Sequence, residues 1–213
     1  MGASAQSRRA GGTFQLAPEL PGAEELQQSA LEDWITVAVG HTDATYEEAR
    51  RAFGDGASHV THAYNGMRPF HHRDPGPVLA AIDSPHVTLE LIADGVHLHP
   101  ATVRAIVRAA GSDRIALVSD AVPPAGSDGG VFRVGDQDAR LTGDRVLLPD
   151  GTIAGGAATM GGIVRNVVEG LSDRKGRLAA GFDADLVALD NNLNVAMTWA
   201  GGRLVFAVAE HFN

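Results

Sequence analysis

The sequence contains no cysteine. Disulfides and thiolate ligands are therefore excluded, any metal must be held by His, Asp, Glu or water, and the cytoplasm is the default location. Long apolar runs are also missing. No stretch approaches the roughly 18 residues of a membrane span, and MGASAQSRRAGG lacks the apolar centre of a secretory signal, so residues 1–15 are expected to form a flexible leader. Cations are scarce: 17 Lys and Arg against 26 Asp and Glu leave a net charge of -9. Nucleic-acid binding rests on clustered positive charge, and this balance argues against it. A single phosphate asks for less, one Arg with histidines and backbone N–H groups being enough. With 213 residues there is ample material for a core.

What is present is organised around residues 37–76. Residues 35–40 (ITVAVG) form a short β-branched run that reads as a buried parallel strand, and His41 stands at its end. Thr45 and Glu48 make a capping box opening a helix to about Phe53, and Gly54-Asp55-Gly56 stops it before a second strand ending in Val60-Thr61-His62. One βαβ unit of this kind places both histidines at the same carboxyl edge of a parallel sheet, where α/β barrels carry their chemistry. Two imidazoles at one rim can share a metal, although either one alone is as readily a hydrogen-bonded loop residue.

Before this stretch, Leu26, Ala30 and Leu31 at helical spacing predict a helix over about 22–33. After it come a helical turn over 77–82, a strand over 88–94 closed by Asp94, Gly95 and His97, a helix from Pro100 to about Ala110 stopped by Gly111, and a strand IALVSD ending in Asp120. Four β/α units result, with polar residues at each carboxyl edge. Residues 121–158 are rich in Gly and Asp, and VFRV, ARLTGDRVLL and GTIAGG suggest short antiparallel strands in a loop over a substrate. Met160 to Leu171 carries an apolar stripe of Ile163, Val164, Val167, Val168 and Leu171. DLVALD and VAMTWAGGRLVFAV read as closing strands, the latter pair joined at Ala200-Gly201-Gly202.

Six segments in order, VGHTDATYEEA, THAYNGMRPFHHRDPG, ELIADGVHLHP, LVSDAVPPAG, IAGGAATM and KGRLAAGFDADLVALD, resemble the N-acetylglucosamine-6-phosphate deacetylases of the amidohydrolase superfamily, over about residues 16–206. The resemblance implies an α/β fold: the second half of a (β/α)8 TIM-type barrel, strands five to eight with the first four missing, over 16–175 with a β-rich loop insertion near 121–158, then the remnant of a small β-domain over 176–213. It implies hydrolysis of a linear amide bond, converting N-acetylglucosamine 6-phosphate to glucosamine 6-phosphate and acetate. A divalent metal follows, zinc first, with iron or another ion as the alternative.

By the same resemblance His41 and His62 are metal ligands and Asp120 is the catalytic acid-base, a turn cap being its plainer role. The family's third ligand, a Glu, is expected upstream, and Glu19 is read as a turn residue of APELPG. Substrate contacts fall on Asn65, Gly66, Arg73, Asp94, Gly95, Val96 and His97, and on the backbone of Ile153, Ala154 and Gly155; the family usually has Ala where Gly66 stands. His71 and His72 read as solvated or at a subunit contact, and His59, His86, His99 and His211 as ordinary histidines. Unpaired outer strands predict a homo-oligomer, a dimer, that takes a small phosphosugar and neither nucleic acid nor membrane. Two alternatives stand beside this reading: a non-catalytic remnant that binds phosphate or phosphosugar, and an amidohydrolase of changed substrate.

Overall fold

The computed structural model describes residues 12–123, 125, 130–143, 145–171, 186–192, 194–200 and 203–208. The chain divides into two compact units, one of Met1–Ile92 with His97–Asp120, the other of Ala93–Val96 with Ala121–Asn213. The expected boundary at 175–176 lies outside the described residues.

The first unit alternates strands and helices: β1 (Thr13–Leu16), α1 (Ala23–Glu32), β2 (Thr36–Val39), α2 (Tyr46–Gly54), β3 (His59–Val60), α3 (Gly76–Ile82), β4 (Thr88–Leu91), α4 (Pro100–Ala110) and β5 (Ile115–Leu117). The five strands pair in chain order and all run parallel. The expectation of four β/α units is therefore corrected to five strands, and the first takes three of its four residues from the supposed leader. The sequence hid it for a physical reason. Of Thr13, Phe14, Gln15 and Leu16 only Leu16 is buried, so no apolar run announces the strand.

Val37, Ala38 and Val39 are buried in β2, as a strand covered on both faces requires, and Val60, Leu89 and Leu91 continue the core across β3 and β4. Phe53, Val78, Val103 and Ile106 close it from the helices. Each such side chain contributes about 1.5–3 kcal/mol by leaving water. Local signals set the helix ends. The Thr45 side chain accepts from the Glu48 N–H while the Glu48 carboxylate accepts from the Thr45 N–H, a complete capping box. At α4, Pro100 follows His99, whose ring nitrogen accepts from the Ala101 N–H. Of Leu26, Ala30 and Leu31, helix α1 buries only Ala30. Ala23, Gln27 and Ala30 are buried and Leu26 is exposed, because the Gln27 amide donates to the Ala52 carbonyl at 2.8 Å and so can be buried without loss.

The second unit holds two antiparallel sheets in chain order, β6 (Gly130–Val134), β7 (Gln137–Thr142), β8 (Arg145–Leu147) and β9 (Ile153–Gly156), then β10 (Leu186–Leu189), β11 (Val195–Ala200) and β12 (Arg203–Ala207), with α5 (Met160–Leu171) between. The antiparallel strands expected within 121–158 are thus a four-stranded sheet in their own right. Ile163 of the α5 stripe is fully buried. The pairing of Ala200 with Arg203 fits the expected hairpin; its Gly201-Gly202 turn, KGRLAAG and His211 lie outside the described residues. No helix among the described residues is long and apolar enough to cross a membrane.

Candidate active site

Val39 and Val60 are register partners on adjacent parallel strands, and each is followed two residues later by a histidine, His41 and His62. Parallel pairing brings equivalent positions to one edge, and the two rings meet edge to face with centroids 4.6 Å apart. Both residues hold left-handed backbone, at φ 44° and 29°. On a side-chain-bearing residue such conformations cost on the order of 1–3 kcal/mol and persist where surrounding structure imposes them. Two glycines do so here. A Cβ at Gly40 would lie 2.2 Å from Cγ2 of Thr61, and one at Gly66 would lie 2.8 Å from Nδ1 of His41. The loops after β2 and β3 are therefore in contact, with the Asn65-Gly66 turn against the His41 ring.

The outer strands end alike. Asp120 stands three residues beyond Leu117 of β5, again left-handed at φ 48°, and Glu19 stands three residues beyond Leu16 of β1, the partner of Val39. The Glu19 carboxylate accepts from the Thr42 hydroxyl and, at 2.7 Å, from the Asp43 N–H, next to His41 in the chain. The sequence reading set Glu19 aside as a turn residue. The structure keeps Glu19 in that turn, which follows directly on β1.

His41 is exposed and His62 buried. Burial, and then the charge of His41, hold the His62 imidazole below its ordinary pKa, against an opposing pull from the Asp120 carboxylate. His62 is thus kept neutral. Its Nδ1 is buried without a hydrogen-bond partner, and a buried polar atom left unsatisfied is costly unless something binds it. A neutral imidazole with an orphaned nitrogen beside a second imidazole is a donor set that fits a cation. Among the described residues no three His, Cys, Asp or Glu groups converge closely enough to hold one.

The phosphosugar set divides. Asn65, Gly66, Arg73 and His97 belong to the first unit with His41, His62 and Asp120; Asp94, Gly95, Val96, Ile153, Ala154 and Gly155 belong to the second. Asn65 donates its side-chain amide to the carbonyls of His62 and Ala63, at 3.1 and 3.3 Å. That amide fixes the turn that follows His62. Arg73 is exposed, its guanidinium 2.7 Å from Nε2 of His72, and its N–H donates to Nδ1 of His71 at 3.3 Å. The His71 and His72 rings lie 4.2 Å apart. In the other unit, Asp94 accepts from the Val96 N–H at 2.8 Å across Gly95, whose φ of 80° suits that tight turn. Ile153, Ala154 and Gly155 lie in β9.

Two residues passed unnoticed in the sequence. Thr42 is buried between Glu19 and the Ala44 N–H, which it accepts at 3.0 Å. Arg68 joins two loops, donating to the Asp43 carbonyl at 2.8 Å and to the carboxylates of Asp43 and Asp74 at 3.1 and 2.8 Å.

A family profile described as "Amidohydrolase family" matches residues 22–136. The N-acetylglucosamine-6-phosphate deacetylase of Bacillus subtilis is 35% identical over 216 residues, covering 92% of this chain and 54% of its own length. The N-acetylgalactosamine-6-phosphate deacetylase of Escherichia coli O157:H7 is 34% identical over 210 residues, covering 89% and 55%. The chain spans about half the length of the curated relatives it matches. Among solved structures, N-acetylglucosamine-6-phosphate deacetylase from Thermotoga maritima gives a TM-score of 0.83 at 33% identity, over 93% of this chain and 60% of that one. A mutant of the Mycobacterium smegmatis enzyme in complex with N-acetyl-D-glucosamine-6-phosphate gives 0.82 at 33%, over 90% and 57%.

Proposed function

Because the chain belongs to the amidohydrolase family, we propose that it removes the acetyl group of N-acetylglucosamine 6-phosphate, giving glucosamine 6-phosphate and acetate. The five-stranded parallel sheet is read as part of a (β/α)8 barrel, with the residues of chemistry at its carboxyl edge. The observation that carries this reading is the pairing of His41 and His62 at equivalent strand ends with rings 4.6 Å apart. The relatives named above, deacetylases of phosphorylated amino sugars, supply the substrate class.

His41 and His62 would hold a divalent ion, zinc first among candidates with iron or another ion as the alternative, and Glu19 is the carboxylate at the neighbouring strand end suited to complete the set. When bound, such an ion supplies Lewis acidity for the amide carbonyl. Asp120 takes the proton of the attacking water and returns it to the departing sugar nitrogen. Its left-handed backbone carries the carboxylate at the strand end in the same unit as the histidines. Arg73 forks onto the phosphate, with Asn65, Gly66 and His97 of the same unit as further candidate contacts. The exposed edge strand β1, where Phe14 and Thr13 face solvent, favours self-association, and the absence of cysteine suits the cytoplasm.

The alternative to be separated from it is phosphosugar binding without turnover. Release of acetate from N-acetylglucosamine 6-phosphate in the presence of added divalent metal tests the choice. Turnover lost in Asp120→Asn supports the hydrolase; binding of the sugar with no acetate released supports the alternative.

A further inference from the structure

We infer that Arg68 is a positioning residue, clamping the turn that carries Arg73 to the loop that carries His41, so that grip on the substrate's phosphate depends on it. The inference rests on the reading of Arg73 as the phosphate ligand. Arg68 reaches both loops at once. Its Nη2 pairs with Asp43, two residues after His41, its Nη1 pairs with Asp74, the residue after Arg73, and its Nε donates to the Asp43 carbonyl. Its own N–H donates to the Thr42 carbonyl at 2.9 Å, so backbone and side chain hold the same loop.

The turn it holds has little else to fix it. His71 and Asp74 exchange backbone hydrogen bonds at 3.1 and 3.0 Å, closing a tight turn around His72 and Arg73, and that turn is solvent-exposed, with Phe70 56% exposed beside it. At the far end Gly76 (φ 70°) would place a Cβ 3.1 Å from the Arg68 carbonyl, so the segment from 68 to 76 returns upon Arg68. No apolar core orients this turn; polar contacts do. Solvent-accessible ion pairs such as these contribute little to stability. Their consequence is geometric instead, since a displacement of about 1 Å at a substrate-positioning group costs as much as 10²-fold in reactivity. Arginine suits the task because its planar fork engages two carboxylates and a carbonyl in fixed directions, which an ammonium group does not.

The test is calorimetric affinity for N-acetylglucosamine 6-phosphate and for N-acetylglucosamine, measured on the parent chain, Arg68→Met, Arg68→Lys, Arg73→Ala and the double variant Arg68→Met/Arg73→Ala. The inference requires that the parent prefer the phosphorylated sugar and that Arg73→Ala and Arg68→Met each reduce that preference about tenfold or more, with Arg68→Lys restoring only part of it. The double variant should be no worse than Arg73→Ala, because the clamp acts through Arg73. Equal weakening of both sugars by Arg68→Met, or additive losses in the double variant, would make Arg68 a general support and overturn the inference. A preference removed by Arg73→Ala but kept by Arg68→Met overturns it alone. A preference that survives Arg73→Ala, or a parent that shows none, overturns the phosphate reading with it. If Arg68→Met does not fold, Asp74→Asn, which removes one arm of the clamp at constant shape, must give the same loss.

Discussion

The two units take up left-handed backbone in opposite ways. In the parallel-sheet unit it is held by Trp34, His41, His62, Tyr64 and Asp120, alongside several glycines; in the other unit, among the described residues, it is held by glycine alone, at Gly95, Gly130, Gly135, Gly143, Gly151 and Gly155. Glycine adopts this region at little steric cost, whereas a side chain in it stores strain. One set of turns is therefore built for ease and the other for placement. Three of the five strained side chains are His41, His62 and Asp120, at the ends of β2, β3 and β5, where strain is paid to put an imidazole or a carboxylate at a fixed point.

The largest effect that could break this comparison is at Asp120. Asp120→Asn keeps size and turn geometry but removes proton transfer, and turnover of the phosphosugar should fall by about 10²- to 10⁴-fold with the denaturation midpoint unchanged. Normal turnover would return Asp120 to a capping role, which Asn fills equally well. Asp120→Gly sharpens the point: it should abolish turnover as fully while leaving stability unchanged or raised by up to about 1 kcal/mol, because the strain is relieved.

Next is the opposite exchange in the other unit. Gly135 joins β6 to β7 at φ 59°, and no atom lies within 4 Å of a Cβ built there. Gly135→Ala should therefore cost about 1–2 kcal/mol from backbone conformation alone, read from urea unfolding. No loss would mean that the turn relaxes freely, and the contrast between the units would fail.

A smaller effect comes from the cap of α2, whose first turn follows the His41 loop. Thr45→Ala should cost about 1 kcal/mol. The Thr45 N–H, and then its hydroxyl, hold the Glu48 carboxyl below the usual carboxylate range. A depressed carboxyl pKa contributes stability that is present above the unfolded value of about 4.3 and is lost as pH falls through the folded value. Glu48→Gln should accordingly flatten the acid limb of the stability profile below about pH 5 and leave the neutral region little changed; an unaltered limb would contradict the capping-box account.

These contrasts also mark what the sequence could disclose. Helix ends were legible because Thr45 with Glu48, and Pro100 with Gly111, act over three or four neighbouring residues. The equivalence of His41 and His62 was legible because both follow β-branched runs at matched spacing. β1 was not, since three of its four residues are exposed. The burial of Gln27 in α1 was not legible, because the carbonyl that satisfies it comes from Ala52 on another helix. Arg68 was invisible for the same reason, its partners being Asp43 on one loop and Asp74 on another, with no periodicity linking them.

The most direct test of the central claim, that strained His41 and His62 form a cation site, is calorimetric titration with zinc of the parent chain, His41→Ala and His62→Ala at neutral pH. One ion per chain bound by the parent, with affinity lost in both variants, is the result expected of a shared site. A parent that binds no zinc, or variants that bind it as the parent does, would contradict the account and leave the two histidines as strained residues without a metal to explain them.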